Sequence, residues 1–280
     1  MLKENELPPL LREINDKPKQ LYVIGEELDQ TARYIAIVGT RRATQYGKQI
    51  AYDIATTLAH YGCTIVSGLA FGIDSCAHRG AIDAEGKTVA VLGGGLEFIN
   101  DRALGEKIKR SGSIVTEYAD NVAPRKFTFP ERNRIIAGMS EAVIVIEAPE
   151  RSGALITADF ALQYNRDVIA IPANITQTSA KGSNNLIRDG LAFMATDIGD
   201  ILERLGITNS NIDKINQTLK PILDGDEKTI FELLCENSPL SLDELHEKSK
   251  LQIHKINGAL TCLEIKKCAR VCAGYAFVTR

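Results

Sequence analysis

Two adjacent arginines, Arg41 and Arg42, follow the apolar run Ile35-Ala36-Ile37-Val38 and the lone Gly39. A buried strand running through a loop into a helix is where a dinucleotide-binding fold wraps a glycine-rich turn around a pyrophosphate. Here two guanidinium groups stand where further glycines would be. Arginine grips phosphate with a rigid two-pronged donor set, whereas glycine works by letting backbone amides come close. The corner is therefore suited to an anion met by side chains, helped by the N-terminal dipole of the following helix.

Other stretches carry related chemistry. Ser67-Gly68-Leu69-Ala70-Phe71-Gly72-Ile73-Asp74 puts a serine and a glycine where a dinucleotide site would want an acid for the ribose. Its amides can face an anion, Asp74 is expected to cap the next helix, and His78 one turn on would make a structural pair with it. Gly93-Gly94-Gly95 lets a ligand or another backbone approach. Pro124 to Arg134 packs four cations and two phenylalanines into eleven residues. Cations hold phosphates while rings stack on unpaired bases, so Arg125, Lys126, Phe127, Phe129, Arg132, Asn133 and Arg134 read as a single-stranded nucleic-acid groove. Alternatively, Phe127 and Phe129 anchor the loop and the cations form a solvated face. Ser152-Gly153 opens a helix at a strand end, as an anion-ready start or an ordinary cap, and Lys181-Gly182-Ser183 gives another polar helix entry.

No G-x-x-x-x-G-K-[ST], H-E-x-x-H or G-x-S-x-G pattern occurs, and no nucleophile, base and orienter stand together. The residues point to binding without catalysis, and to no cofactor or metal. The six cysteines form no C-x-x-C pair and read as free thiols. The net charge of −3 gives no global basic field, so a polyanion site must be a local patch. No apolar run approaches the roughly 20 residues that span a bilayer. Met1 to Asn15 lacks a signal core, so a cytoplasmic protein is expected.

These residues need a scaffold. Ile35–Val38, Thr64–Val66, Val89–Leu92, Ile114–Thr116, Ala142–Ile146 and Val168–Ile171 are short, β-branched and apolar, as strands buried on both faces must be. Helical patterns at Tyr46–His60, Asp74–Ala84, Leu104–Arg110, Glu131–Met139 and Leu155–Tyr164 alternate with them. Such alternation predicts an α/β fold with a doubly wound, mostly parallel Rossmann-like sheet. The expected domains are residues 34–207, preceded by an extension over 1–33 that packs a short helix and an edge element on the sheet. A polar linker follows at 208–225. Residues 226–280 read as a small winged-helix-like domain, with three helices, a Ser241–Glu244 capping box and a hairpin about Gly274.

In this order, Gly39-Thr40-Arg41-Arg42-Ala43-Thr44, Ser67-Gly68-Leu69-Ala70-Phe71-Gly72-Ile73-Asp74, Phe129-Pro130-Glu131-Arg132-Asn133-Arg134-Ile135-Ile136 and Ser152-Gly153-Ala154-Leu155-Ile156-Thr157-Ala158 resemble the DNA-processing protein A (DprA/Smf) family. The resemblance runs from about Leu7 to the C-terminus. It implies a Rossmann-like domain that binds and protects single-stranded DNA and loads the RecA recombinase in natural transformation. It also implies a homodimer through that domain. Carried onto this chain, the pocket comprises Arg42 with Arg41 alongside, Ser67, Gly68, Lys126, Phe129 and Arg132, with Asn133 and Arg134 as contacts or as residues that hold its shape. Two segments depart from the family pattern: Glu97-Phe98-Ile99-Asn100 lacks the Tyr-Pro element, and Ala173-Asn174 stand where glycine is usual after Ile171-Pro172. The balanced charge of 226–280 favours a protein-contact or auxiliary role there. A phosphoribohydrolase-type nucleotide enzyme is the alternative, but its P-G-G-x-G-T-x-x-E pattern is missing and Glu147 is followed by Ala148-Pro149.

Overall fold

Strands of alternating but wholly apolar composition cannot face water on either side, and this chain stacks them in the middle of a helical sandwich. The structure is a computed structural model that describes residues 1–207, 223, 225–237, 240–265, 268–272 and 275–278. The chain divides into two compact units, Met1–Asn211 and Ile212–Arg280.

The first unit runs β1 (Leu2–Lys3), α1 (Pro9–Glu13), β2 (Gln20–Gly25), β3 (Tyr34–Val38), α2 (Gln45–His60), β4 (Thr64–Ser67), α3 (Ile73–Asp83), β5 (Thr88–Leu92), α4 (Arg102–Ser111) and β6 (Gly112–Thr116). It continues with α5 (Thr128–Met139), β7 (Ala142–Val145), α6 (Gly153–Gln163), β8 (Asp167–Ala170), α7 (Lys181–Arg188), β9 (Phe193–Met194) and α8 (Ile198–Arg204). The sheet order is β1-β2-β6-β5-β4-β3-β7-β8-β9. Strands β3 to β9 pair in parallel, while β2 pairs antiparallel with β6 and β1 antiparallel with β2. The expected edge element, β2, thus lies one place in from the edge. The winding direction reverses between β3 and β7, and open α/β sheets bind ligands beyond the strand ends at such a reversal.

Alternation along β3 shows how the layers form. Ile35 and Ile37 enter a core with α2, α3 and α8, whereas Ala36 and Val38 enter one with α1, α5 and α6. Truncating a fully buried Ile35 or Ile37 to alanine would cost about 2–5 kcal/mol. Leu7, Leu11, Ile14 and Leu21 join the second core, which ties the N-terminal residues to α5. At the other end, the Asp197–Asp200 capping box fixes the start of α8, and its Ile201 and the following Leu205 are buried. No described helix is long and apolar enough to cross a membrane.

The second unit comprises α9 (Gly225–Asn237), β10 (Leu240–Ser241), α10 (Leu242–Ser249), α11 (Ile253–Ile265), β11 (Ala269–Cys272) and β12 (Tyr275–Val278). Its sheet order is β10-β12-β11, so the predicted hairpin gains a short third strand. Ile230, Leu234, Leu245, Ile256, Leu260 and Leu263 form its core. The Ser241 amide donates to Glu244 Oε2 at 2.8 Å, closing the expected capping box. The hairpin turn at Gly274 and the linker, apart from residues 223 and 225, lie outside the described residues.

Candidate nucleic-acid interface

At the reversal point the first turn of α2 already holds an anion, and the protein supplies it. Glu147, buried at the end of β7, accepts from the Thr44 amide at 3.0 Å and the Thr44 hydroxyl at 2.5 Å. Gln177 Nε2 donates to the same carboxylate at 2.8 Å. The Thr40 amide donates to the Glu147 carbonyl at 2.7 Å, which closes the crevice from the loop side. Gly47 makes room for this carboxylate, since a Cβ there would stand 2.6 Å from Glu147 Cδ. The sequence reading placed an external anion at this corner. The helix start itself is filled by Glu147, while the Arg41 and Arg42 side chains are exposed in the loop before it.

The loop after β4 is pinned at several points. The Ser67 hydroxyl donates to the Ile37 carbonyl at 2.6 Å, which binds the ends of β3 and β4 together. Asp74 does not cap α3 with its side chain; the helix is entered at Gly72, and the Asp74 carboxylate turns back to accept from the Gly68 amide at 3.1 Å and the Ala70 amide at 3.5 Å. Leu69 is buried with φ of 52°, a left-handed conformation rare for a bulky residue. Gly72, at φ of +89°, sits on the first loop, where a Cβ would lie 2.4 Å from the Thr40 carbonyl oxygen and 2.7 Å from that of Arg41. The two loops are therefore one structural piece.

Helix α5 braces this piece from below. Arg132 is 6 % exposed and donates through Nη1 to the carbonyls of Gly68, at 2.9 Å, and Val91. Gly68 leaves the space its guanidinium fills, with a Cβ there only 2.6 Å from both terminal nitrogens. Asn133 donates to the Gly153 carbonyl at 3.0 Å and so locks α5 to the start of α6. The Thr128 hydroxyl donates to the Gly93 carbonyl and accepts from the Arg125 amide at 3.0 Å, fixing the Arg125–Phe127 loop to the end of β5. Arg134 is held bidentately by Glu117 at 2.9 and 2.8 Å, with Asp16 at 3.6 Å.

Several sequence-derived contacts are thus relocated. Ser67, Gly68, Arg132 and Asn133 are buried beneath the rim, and Arg134 is engaged by carboxylates. The cause is helical phase: Arg132 shares a face with Ile135, Ile136 and Met139, all in the core. That register was visible in the sequence and marks Arg132 as inward-facing. Ser152 caps α6 by accepting from the Ala154 amide at 3.2 Å, beside an exposed Gly153. The α7 start is also engaged, its Gly182 amide donating to the Ala148 carbonyl at 2.7 Å. The triple glycine admits backbone: a Cβ on Gly95 would lie 2.2 Å from the carbonyl oxygens of Ala119 and Asp120.

Four cations of these loops remain on the surface. Arg41, Arg42, Arg125 and Lys126 are exposed, and none has a carboxylate partner among the described residues. Arg41 lies over the Phe129 ring at 5.1 Å, and Arg125 over Phe127 at 5.9 Å. Phe129 is also wedged against Gly93, where a Cβ would meet its ring at 2.9 Å. Below, burial lowers the Arg132 guanidinium to about 10, with the Asp74 charge opposing and Arg41 adding to the effect. Burial raises the Asp74 carboxyl, and Arg132 pulls it back. His78 pairs with Thr88, not Asp74: its Nδ1 lies 2.6 Å from Thr88 Oγ1, which itself donates to the Ile65 carbonyl. Thr88 must therefore accept from Nδ1–H, and Nε2 is buried without a partner.

A doubly wound, mostly parallel sheet, followed in the chain by a small unit of three helices and a three-stranded sheet, defines a Rossmann-like protein with a winged-helix-like second unit. The chain belongs to the DNA recombination-mediator protein A family, whose model matches residues 1–206, and a DprA winged helix domain model matches residues 216–274. Protein Smf of Synechocystis sp. is 35% identical over 297 residues, covering 93% of this chain and 74% of the relative. DNA processing protein A of Streptococcus pneumoniae is similar in structure, with a TM-score of 0.66 and 38% identity over 70% of each chain. That of Helicobacter pylori, whose structure concerns a single-stranded DNA binding mode, gives a TM-score of 0.65 at 32% identity over 71% of this chain and 92% of the other.

Proposed function

We propose that this chain binds single-stranded DNA along the strand-end rim and acts as a recombination mediator. The observation that carries the reading is the set of four exposed cations, Arg41, Arg42, Arg125 and Lys126, on loops braced by α5. A pyrophosphate needs one cradle, whereas a strand presents phosphates in a row and needs a row of donors. Glu147 at the helix start supports this reading over nucleotide chemistry of the phosphoribohydrolase type, because a carboxylate there repels a phosphate. The family's designation as a mediator and the single-stranded DNA mode of the H. pylori relative support it further.

On this reading the protein works in the cytoplasm, without a catalytic step or cofactor of its own. It protects incoming DNA and loads RecA recombinase during natural transformation, as a homodimer through the main domain over 34–207. Residues 1–33 serve as an extension of that domain, 208–225 as a linker, and 226–280 as an auxiliary or protein-contact module. The exposed Gln252, His254, Lys255 and Asn257 there offer only a thin basic face to duplex DNA.

Fluorescence anisotropy with labelled single strands and the matching duplex tests the central claim. Single strands should bind more tightly, with little sequence preference and with affinity falling as salt rises. Equal or stronger duplex binding would sink the reading. Light scattering of the purified chain tests the dimer, and RecA-catalysed ATP hydrolysis on single-stranded DNA, with and without the chain, tests the loading step.

A further inference from the structure

We infer that Phe71 is a stacking platform for an unpaired nucleobase, set beside the Arg41–Arg42 turn; the inference rests on the single-stranded DNA reading above. A lone exposed aromatic is ordinary on a protein surface, so the case lies in how this one is held.

Phe71 is 62 % exposed at the tip of the loop after β4. The chain has bent itself to put it there. Two residues earlier, Leu69 adopts φ of 52° and turns its side chain into a core with Leu92, Leu104 and Ile108. A left-handed bulky residue is strained and persists only where its surroundings over-determine it. They do so here. Asp74 takes the amides of Gly68 and Ala70, Arg132 takes the Gly68 carbonyl, and Gly72 rests on the Thr40 and Arg41 carbonyls. The loop is fixed on both sides of Phe71 while the ring itself stays in solvent. A surface presented rigidly loses little conformational freedom when a ligand docks, which favours binding.

The neighbours select the ligand. Arg41 and Arg42 adjoin the loop and suit the phosphates on either side of a base. The other rim phenylalanines are already engaged: Arg41 lies over Phe129 and Arg125 over Phe127. Phe71 has no cation over its ring among the described residues, so its face is open to a base. Duplex DNA keeps its bases stacked on each other, and only an unpaired base offers a free π-face to such a ring.

The chain contains no tryptophan, so Phe71→Trp installs a unique fluorophore at the platform. The probes are a 20-nucleotide oligothymidylate, an abasic strand of equal length and a 20-base-pair duplex. The indole emission should be quenched by the thymidine strand and left unchanged by the abasic strand and the duplex. Phe71→Ala should weaken oligothymidylate binding by roughly 5- to 150-fold, Phe71→Trp should restore it, and thermal unfolding should confirm that each variant is folded. If the unsubstituted chain binds oligothymidylate but Phe71→Ala binds equally well, the platform is refuted and the DNA reading stands. Quenching by the abasic strand or the duplex would also refute it, since phosphate contact alone would then explain the signal. If the unsubstituted chain fails to bind oligothymidylate, both readings fall.

Discussion

Arg42→Ala combined with Lys126→Ala separates phosphate contact from support, because the structure divides the cations of this region into two kinds. Four are exposed with no carboxylate partner among the described residues, while Arg132 is buried and donates to backbone carbonyls. Single-stranded binding weakens with salt by about 0.7 logarithmic units per neutralised phosphate. If each exposed cation meets one phosphate, the slope of log K against log salt is about −2.8. Affinity then falls about 50-fold between 50 and 200 mM salt. Removing Arg42 and Lys126 should halve the slope to about −1.4, a fall of about 7-fold over the same range. Arg132→Met also removes a positive charge, one instead of two, but no phosphate contact. It should lower affinity through a disordered Gly68–Gly72 loop and leave the slope near −2.8. The assay is anisotropy of a labelled oligothymidylate at five salt concentrations for the three proteins. A double variant with an unchanged slope, or an Arg132→Met slope shallower by a full contact, would refute this division.

Other consequences can be checked on the free protein. Burial, with Arg132 nearby adding to it, lowers the His78 imidazole from 6.5 to about 3, so the unfolded chain takes up a proton that the folded chain refuses. The stability penalty is absent above the unfolded value and grows as pH falls from 6.5 towards 3. His78 should therefore account for about 2 kcal/mol of lost stability between pH 7 and pH 5. Urea unfolding at the two values should show that difference shrink in His78→Leu. Gly47→Ala would thrust a methyl group into the Glu147 carboxylate and should destabilise the fold by about 1–3 kcal/mol. In a double-mutant cycle Glu147→Ala should relieve part of that cost, and strict additivity would place the clash elsewhere. Ser241→Ala should lose about 1 kcal/mol by uncapping α10, read as faster amide exchange in that helix.

The strands were legible because an all-apolar, β-branched run such as Ile35–Val38 has few other homes than a sheet covered on both faces. Helix α5 shows how a boundary slips. The pattern suggested a start at Glu131, yet the helix begins at Thr128 and carries Pro130 in its first turn, where no backbone donor is needed. Counting cations between Pro124 and Arg134 marks a cation-rich segment but does not sort it, because exposure depends on helical phase and on partners far away in sequence. Arg125 and Lys126 fall on the loop, Arg132 turns in beneath Gly68, and Arg134 meets Glu117 and Asp16. Asp74 looked like a cap because caps are local, whereas its real partners are set by a left-handed turn at Leu69 that composition does not announce. In the sequence Glu147 reads only as the acid of an alternative enzyme. Thr44 and Gly47, a hydroxyl and a missing side chain opposite it, were the clues to its place.

Glu147 has a consequence for control. In many Rossmann-like proteins the reversal crevice holds a nucleotide. With a carboxylate already seated on the Thr44 amide, a phosphate at that helix start would meet a like charge. On the proposed single-stranded DNA reading, grip on a strand then follows the amount of free strand and the ions around it, and not a nucleotide seated in this crevice.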